Sequence, residues 1–227
     1  EALTAGRGRR LVLVTAHRRE NWGAGLRGIA SAIARLSERY PDVDFVVPMH
    51  PNPVARGPLV EALDGRDNVL LVEPRDYFAF VQLTTAASLI ITDSGGVQEE
   101  APAFGIPVLV TRGVTEREEG VRAGTLQLVG TDPERIVAAA SVVLDRSPEE
   151  AARAKREAPE NPYGDGRAAI RIVESLRLLL CEGPAPAELE VELPGLRDAV
   201  QEHLGRSAAE SVPAVAVVDP AAVAAQR

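Results

Sequence analysis

Leu89-Ile90-Ile91-Thr92-Asp93-Ser94-Gly95-Gly96-Val97-Gln98-Glu99-Glu100 is the stretch on which the fold turns. Its first three residues are apolar on both alternating faces, as a strand buried on both sides requires. A short polar turn with two glycines follows, and then a helix. At a strand-to-helix turn, glycines let a ligand approach the backbone, and the first helical N–H groups point at any anion placed there. Ser94 adds a hydroxyl donor, and Glu100, about one turn into the helix, offers acceptors for a ribose diol. The same residues would also make a plain tight turn capped by Asp93 or Ser94. Features elsewhere in the chain must decide between the two.

Similar runs rich in Val, Ile and Leu recur at 11–15, 45–49, 69–72, 108–111 and 126–129. Between the first two, Leu26, Ile29, Ile33, Leu36 and Tyr40 recur at three- and four-residue spacing and predict one buried helical stripe. Segments after the second, third and fourth runs also fit crossover helices. The alternation predicts an α/β fold from about residue 11 to 145, a Rossmann-like three-layer arrangement around a parallel sheet. A last helix is expected over 166–181, with Ile170, Val173, Leu176 and Leu180 on one side, after Asn161-Pro162-Tyr163-Gly164-Asp165-Gly166. From Gly183 the composition turns to Ala, Pro, Glu and Val, with prolines at 184, 186, 194, 213 and 220. Such spacing blocks long helices and ladders, so 183–227 reads as a largely disordered tail. Within it one short helix is expected between Gly195 and Gly205, and His203 reads as solvated. The expected division is a ligand-binding domain over 1–182 and a tail over 183–227.

In open parallel sheets ligands bind outside the carboxyl ends of the strands, and a second polar segment falls on that rim. Thr15-Ala16-His17-Arg18-Arg19-Glu20-Asn21 follows the first run. His17 suits donation to a diphosphate or proton transfer, and the adjacent arginines offer fixed charge with bidentate geometry. A solvated loop with a Glu–Arg pair is the plainer alternative. His50 follows the second run in Pro48-Met49-His50-Pro51-Asn52-Pro53, where three prolines suit either a positioned side chain or a rigid turn. Arg117, in Thr115-Glu116-Arg117-Glu118-Glu119-Gly120, is a further rim cation or part of a salt-bridged loop.

The chain has 227 residues, 45% hydrophobic and 26% charged, enough for one sizeable α/β domain or two small ones. A formal charge of −8 argues against nucleic acid or an anionic membrane as the main partner, while leaving room for a local arginine cluster. A single cysteine, Cys181, allows no internal disulfide, and no apolar stretch approaches the ~20 residues of a membrane span, so a cytoplasmic location is expected. No H-E-x-x-H, H-x-H or Cys cluster occurs, so neither a metal nor another cofactor is expected. The sequence begins at Glu1 rather than Met, which raises the expectation of a processed product or half of a longer protein.

Eight motifs together resemble one family. T-A-H-R-R-E-N at 15–21, H-P-N-P at 50–53, E-P-x-D-Y at 73–77, T-D-S-G-G-V-Q-E-E-A-P at 92–102, T-E-R at 115–117, G-T at 124–125, L-V-G-T at 128–131 and N-P-Y-G-D-G at 161–166 occur in this order. The set is similar to the C-terminal half of the non-hydrolysing UDP-N-acetylglucosamine 2-epimerases, over about residues 9–180. The resemblance implies one half of a GT-B-type fold, in which two Rossmann-like domains face a cleft and this one grips UDP. It implies that Ser94, Gly95 and Gly96 hold the diphosphate, Glu100 the ribose, Arg75 and Phe80 the uracil, and Arg117 the substrate. His17 matches the active-site histidine. Arg18, Glu20 and His50 are implied as a share of a regulatory UDP-N-acetylglucosamine site, and a homodimer is implied as the assembly. The implied reaction interconverts UDP-N-acetylglucosamine and UDP-N-acetylmannosamine, with proton-transfer carboxylates supplied by an N-terminal half, so that this chain alone is expected to be inactive. Three positions depart from the pattern: Arg75 stands where Gln is usual, Gly113-Val114 where Asp-Thr is usual, and Glu118 where Pro follows T-E-R. A stand-alone nucleotide-sugar module, and another GT-B enzyme such as a hydrolysing epimerase or a UDP-sugar glycosyltransferase, are the competing readings.

Overall fold

The computed structural model of the chain describes residues 8–181. The chain forms two compact units that divide at Gly166, and each is taken by itself. The first begins with β1 (Arg10–Thr15), α1 (Ala24–Arg39), β2 (Val43–Pro48), α2 (Pro53–Leu63), β3 (Val69–Val72) and α3 (Tyr77–Ala86). It continues with β4 (Leu89–Thr92), α4 (Gly95–Glu100), β5 (Val108–Val110), α5 (Glu118–Ala123), β6 (Leu126–Leu128), α6 (Pro133–Leu144) and α7 (Pro148–Arg156). Of the second unit, α8 (Ala168–Cys181) is described. The expected tail over 183–227, with its short helix and His203, lies outside the described residues. No helix among those residues is long and apolar enough to cross a membrane.

The six strands form one sheet in the order β3-β2-β1-β4-β5-β6, with every pairing parallel. The strands are apolar on both faces because both faces are covered. Along β1, Val12 and Val14 enter a core with α1, α2 and α6, whereas Leu11 and Leu13 enter a second core that includes Leu83 of α3 and Val97 of α4. Leu26, Ile29, Ile33 and Leu36 of α1 are wholly buried and Tyr40 nearly so, as their spacing predicts. This is the Rossmann-like three-layer α/β arrangement, the build of one half of a GT-B fold.

Two short helices lie where the sequence reading had a surface loop or no element. The loop expected at 115–120 turns into α5, and α7 follows α6. No residue of α7 is buried, so it lacks the apolar stripe on which helix prediction depends. Its local signal is the capping box, in which Ser147 accepts from Glu150 N while Glu150 accepts from Ser147 N at 2.8 Å.

Candidate functional site

The strand order runs outward in both directions from β1, and its neighbours β2 and β4 end beside it. Chains leaving β1 and β4 therefore diverge at one point on the sheet's carboxyl edge, the switch point where α/β folds place ligands. His17 leaves β1 there, His50 leaves β2, and the D-S-G-G turn leaves β4.

Asp93 fixes the turn, though not as the cap that its position after the strand suggests. Its side chain is fully buried and crosses to the H-R-R-E-N loop. Oδ2 accepts from Arg18 N at 2.9 Å and from Asn21 Nδ2 at 3.0 Å, and His17 N lies 3.0–3.1 Å from the two oxygens. Ser94 occupies the N-cap position of α4, and its side chain makes no capping bond. Ser94 lines the cleft described below. The buried carboxylate thus ties two loops together that are 72 residues apart at Asn21 and Asp93.

His50 is both in a rigid turn and positioned by it. Asn52 caps α2 by accepting from Val54 N at 2.9 Å, and Asn52 N donates to His50 Nδ1 at 3.0 Å. This holds the His50 ring parallel to His17, with centroids 5.7 Å apart and an interplanar angle of 8°. His17 Nδ1 lies 3.5 Å from Asp93 Oδ1. Burial pushes the His17 imidazole below its ordinary value, Asp93 opposes that shift, and His50 and Arg18 reinforce it. The neutral ring is therefore favoured, and an anion placed beside it would draw a proton onto it.

A cleft of about 410 Å³ opens at this point, within the ~300–1,000 Å³ usual for small-molecule sites. Its lining gathers His17, His50, Arg75, Phe80, Ser94, Gly96 and Glu100, together with Tyr77. Tyr77 was missed in the sequence reading, although it stands in E-P-x-D-Y directly after Asp76, which caps α3 by accepting from Ala79 N at 2.9 Å.

The two glycines do different things. A Cβ on Gly96 would meet nothing within 4 Å, so this residue keeps the cleft wall open. A Cβ on Gly95 would lie 2.9 Å from Arg117 Nη2 and 3.1 Å from Arg18 Nη2, so Gly95 makes room for two guanidinium groups. Arg18, Gly95 and Arg117 thus form a cationic shoulder behind the turn instead of lining the cleft. Thr115 Oγ1 donates to Gln98 Oε1 at 2.6 Å and accepts from Arg117 N at 3.1 Å, while Tyr163 Oη donates to Arg117 O at 3.4 Å. The T-E-R and N-P-Y motifs therefore meet at Arg117. Glu99 pairs with Arg117 at 2.7 Å.

Arg112 is the other residue that sequence reasoning missed. Only 3% of its side chain is exposed, and it binds Glu20 and Glu116 together. The Arg112 guanidinium holds the Glu116 carboxyl down at about 2. Glu20 therefore does not share the cleft lining with His50. The available sequence signal was an arginine directly after a buried strand, opposite two acids in polar loops. Among the described residues, no group of three or more His, Cys, Asp or Glu side chains is arranged to hold a metal ion.

Residues 1–177 match the model of the UDP-N-acetylglucosamine 2-epimerase family. The chain is 46% identical over 169 residues to a UDP-N-acetylglucosamine 2-epimerase of Escherichia coli K12, covering 74% of this chain and 44% of that protein. The structure is similar to UDP-GlcNAc 2-epimerase from Neisseria meningitidis bound to UDP-GlcNAc, with a TM-score of 0.69 and 45% identity over 74% of this chain and 44% of that one. It is also similar to S. aureus MnaA in its UDP co-structure, with a TM-score of 0.73 and 43% identity over 78% of this chain and 48% of that one. The chain thus spans less than half the length of each of these relatives.

Proposed function

Because the chain belongs to the UDP-N-acetylglucosamine 2-epimerase family, we propose that it supplies the UDP-gripping half of a non-hydrolysing epimerase, which interconverts UDP-N-acetylglucosamine and UDP-N-acetylmannosamine. The observation that carries this reading is a single cleft of nucleotide size lined by His17, Arg75, Phe80, Ser94, Gly96 and Glu100. In the proposed complex the diphosphate lies along Ser94 and the open face of Gly96, backed by the cationic shoulder of Arg18 and Arg117. Glu100 accepts from the ribose hydroxyls, and the uracil lies between Arg75 and Phe80.

Epimerisation removes the C2 proton as UDP leaves C1, retains a 2-acetamidoglucal intermediate, and returns UDP with a proton delivered to the opposite face of C2. Two requirements follow: a carboxylate must reach C2, and the departing diphosphate must be held in place. His17 and the D-S-G-G turn serve the second, with His17, protonated when the diphosphate binds, donating a hydrogen bond to the leaving phosphate as negative charge grows on it. For the first, Glu99 and Glu116 are held by Arg117 and Arg112, and Glu100 is assigned to ribose. Proton transfer at C2 is therefore assigned to carboxylates of a second Rossmann-like half, and the chain alone is expected not to epimerise. We place the protein in the cytoplasm on its single cysteine.

Calorimetry with UDP and product NMR with UDP-N-acetylglucosamine test the two parts separately. UDP binding without turnover is the expected result. Absence of UDP binding at millimolar ligand would sink the binding assignment, and turnover by the pure chain would overturn the assignment of proton transfer.

A further inference from the structure

We propose that Arg112 is a positioning residue that draws Glu20 away from Arg18 and the stronger bonds of Glu116 away from Arg117, leaving Arg18 unpaired and sparing part of the Arg117 charge for a phosphate-bearing ligand; this rests on the nucleotide reading above. Its Nε donates to Glu20 Oε1 at 2.5 Å, and its Nη1 and Nη2 donate to Glu116 at 2.8 and 3.0 Å. Glu20 stands two residues from Arg18, and Glu116 directly precedes Arg117. The side chains of Glu20 and Glu116 are 48% and 62% exposed, so packing restrains neither of them. Arg18 nevertheless makes no ion pair among the described residues, while Arg117 is paired with Glu99 at 2.7 Å and with Glu116 at a longer 3.3 Å.

The Arg18 and Arg117 guanidiniums both approach Gly95, with their Nη2 atoms no more than about 6 Å apart. Two like charges held this close focus an anion, and since Glu99 already takes part of the Arg117 charge, each further carboxylate that folds onto the pair weakens that focus. A buried guanidinium suits this task because its planar fork of five N–H donors serves two carboxylates at once, which an ammonium group does not. Arg112 touches neither the cleft nor the turn, so its effect on a ligand passes through Glu20 and Glu116.

A double-mutant cycle on the full chain tests this, with inorganic pyrophosphate and UDP as separate probes in calorimetry. Arg112→Met is expected to weaken pyrophosphate binding about tenfold or more. Adding Glu20→Gln and Glu116→Gln to that variant restores most of the loss, with a gain at least about threefold larger than the same pair produces in the parent. Equal gains in the two backgrounds overturn the proposal, because a purely structural arginine would not couple to the two acids in this way. If circular dichroism shows Arg112→Met unfolded, Arg112→Lys is the background, with the same comparison and the same contradicting result. Pyrophosphate binding without UDP binding by the parent would break the nucleotide reading and leave the cycle readable. A parent that binds neither probe overturns both.

Discussion

The two rims of the sheet differ in a way that cavity size alone would misjudge. Where the strands begin, a crevice of about 590 Å³ lies between the sheet and α7, lined by Arg10, Ser88, Ile106, Thr125, Ala151 and Lys155 among others. Where they end, the cleft is smaller, at about 410 Å³. The larger space is what remains when a helix with no buried side chain covers the strand origins. One of its cations, Arg10, is already bound to Leu144 O at 2.6 Å and Asp42 at 3.3 Å. The smaller space is where buried Asp93 and Arg112 hold the loops so that His17, Ser94 and Glu100 converge. Convergent polar groups with undirected bonding capacity, rather than volume, mark the site.

The comparison is most easily broken at Asp93. Asp93→Ala leaves His17 N, Arg18 N and Asn21 Nδ2 without this buried acceptor, and at about 1–3 kcal/mol per unsatisfied donor the expected destabilisation is about 3–5 kcal/mol. Urea unfolding followed by circular dichroism measures it, and a loss under about 1 kcal/mol would mean that the two loops do not depend on this carboxylate. Next comes the cleft itself. Ser94→Ala combined with Glu100→Gln is expected to weaken UDP binding by about 2–4 kcal/mol in sum. Unchanged affinity in calorimetry would put UDP elsewhere.

Gly28 tests how the fold supports the site rim. A Cβ there would stand 2.2 Å from the backbone oxygen of Thr131, so α1 packs directly against the L-V-G-T loop. Gly28→Ala should destabilise by about 1–3 kcal/mol through forced separation of the two segments, read as a lower urea midpoint. Protonation gives a smaller effect with a definite sign. The pKa of His17 is lowered in the free chain, and a bound diphosphate raises it, so binding takes up protons and strengthens as pH falls from 8 towards the ordinary histidine value of ~6.5. Titrations in buffers of different ionisation enthalpy measure the uptake, and no uptake at pH 7 would remove His17 from the diphosphate. The smallest effect is expected at the opposite rim. Lys155→Ala should change stability by less than about 0.5 kcal/mol and leave UDP affinity as it was.

The elements that the sequence makes legible are those whose environment is uniform along their length. Strands buried on both faces read as continuous apolar runs, and the stripe from Leu26 to Tyr40 reads as α1, because local periodicity records burial. The cleft lining was legible for a different reason: His17, Ser94, Gly96 and Glu100 all follow strand ends, and parallel topology sends strand ends to one edge. Asp93 and Arg112 were hidden because their partners lie far along the chain, 72 residues away for Asn21 and 92 for Glu20. Gly95 was legible as a close approach, and two of the approaching groups are the Arg18 and Arg117 guanidiniums. Helix α7 left no hydrophobic trace, only its cap.

Amide chemical-shift mapping of the full chain with UDP tests the central claim most directly, because it reads both rims of the sheet at once. The predicted result is perturbation concentrated at His17, Phe80, Ser94, Gly95 and Gly96, with Ser88, Ile106, Thr125 and Lys155 unmoved. Perturbations centred on Ser88, Ile106 and Thr125, or none at millimolar UDP, would contradict the assignment of the carboxyl-edge cleft as the nucleotide site.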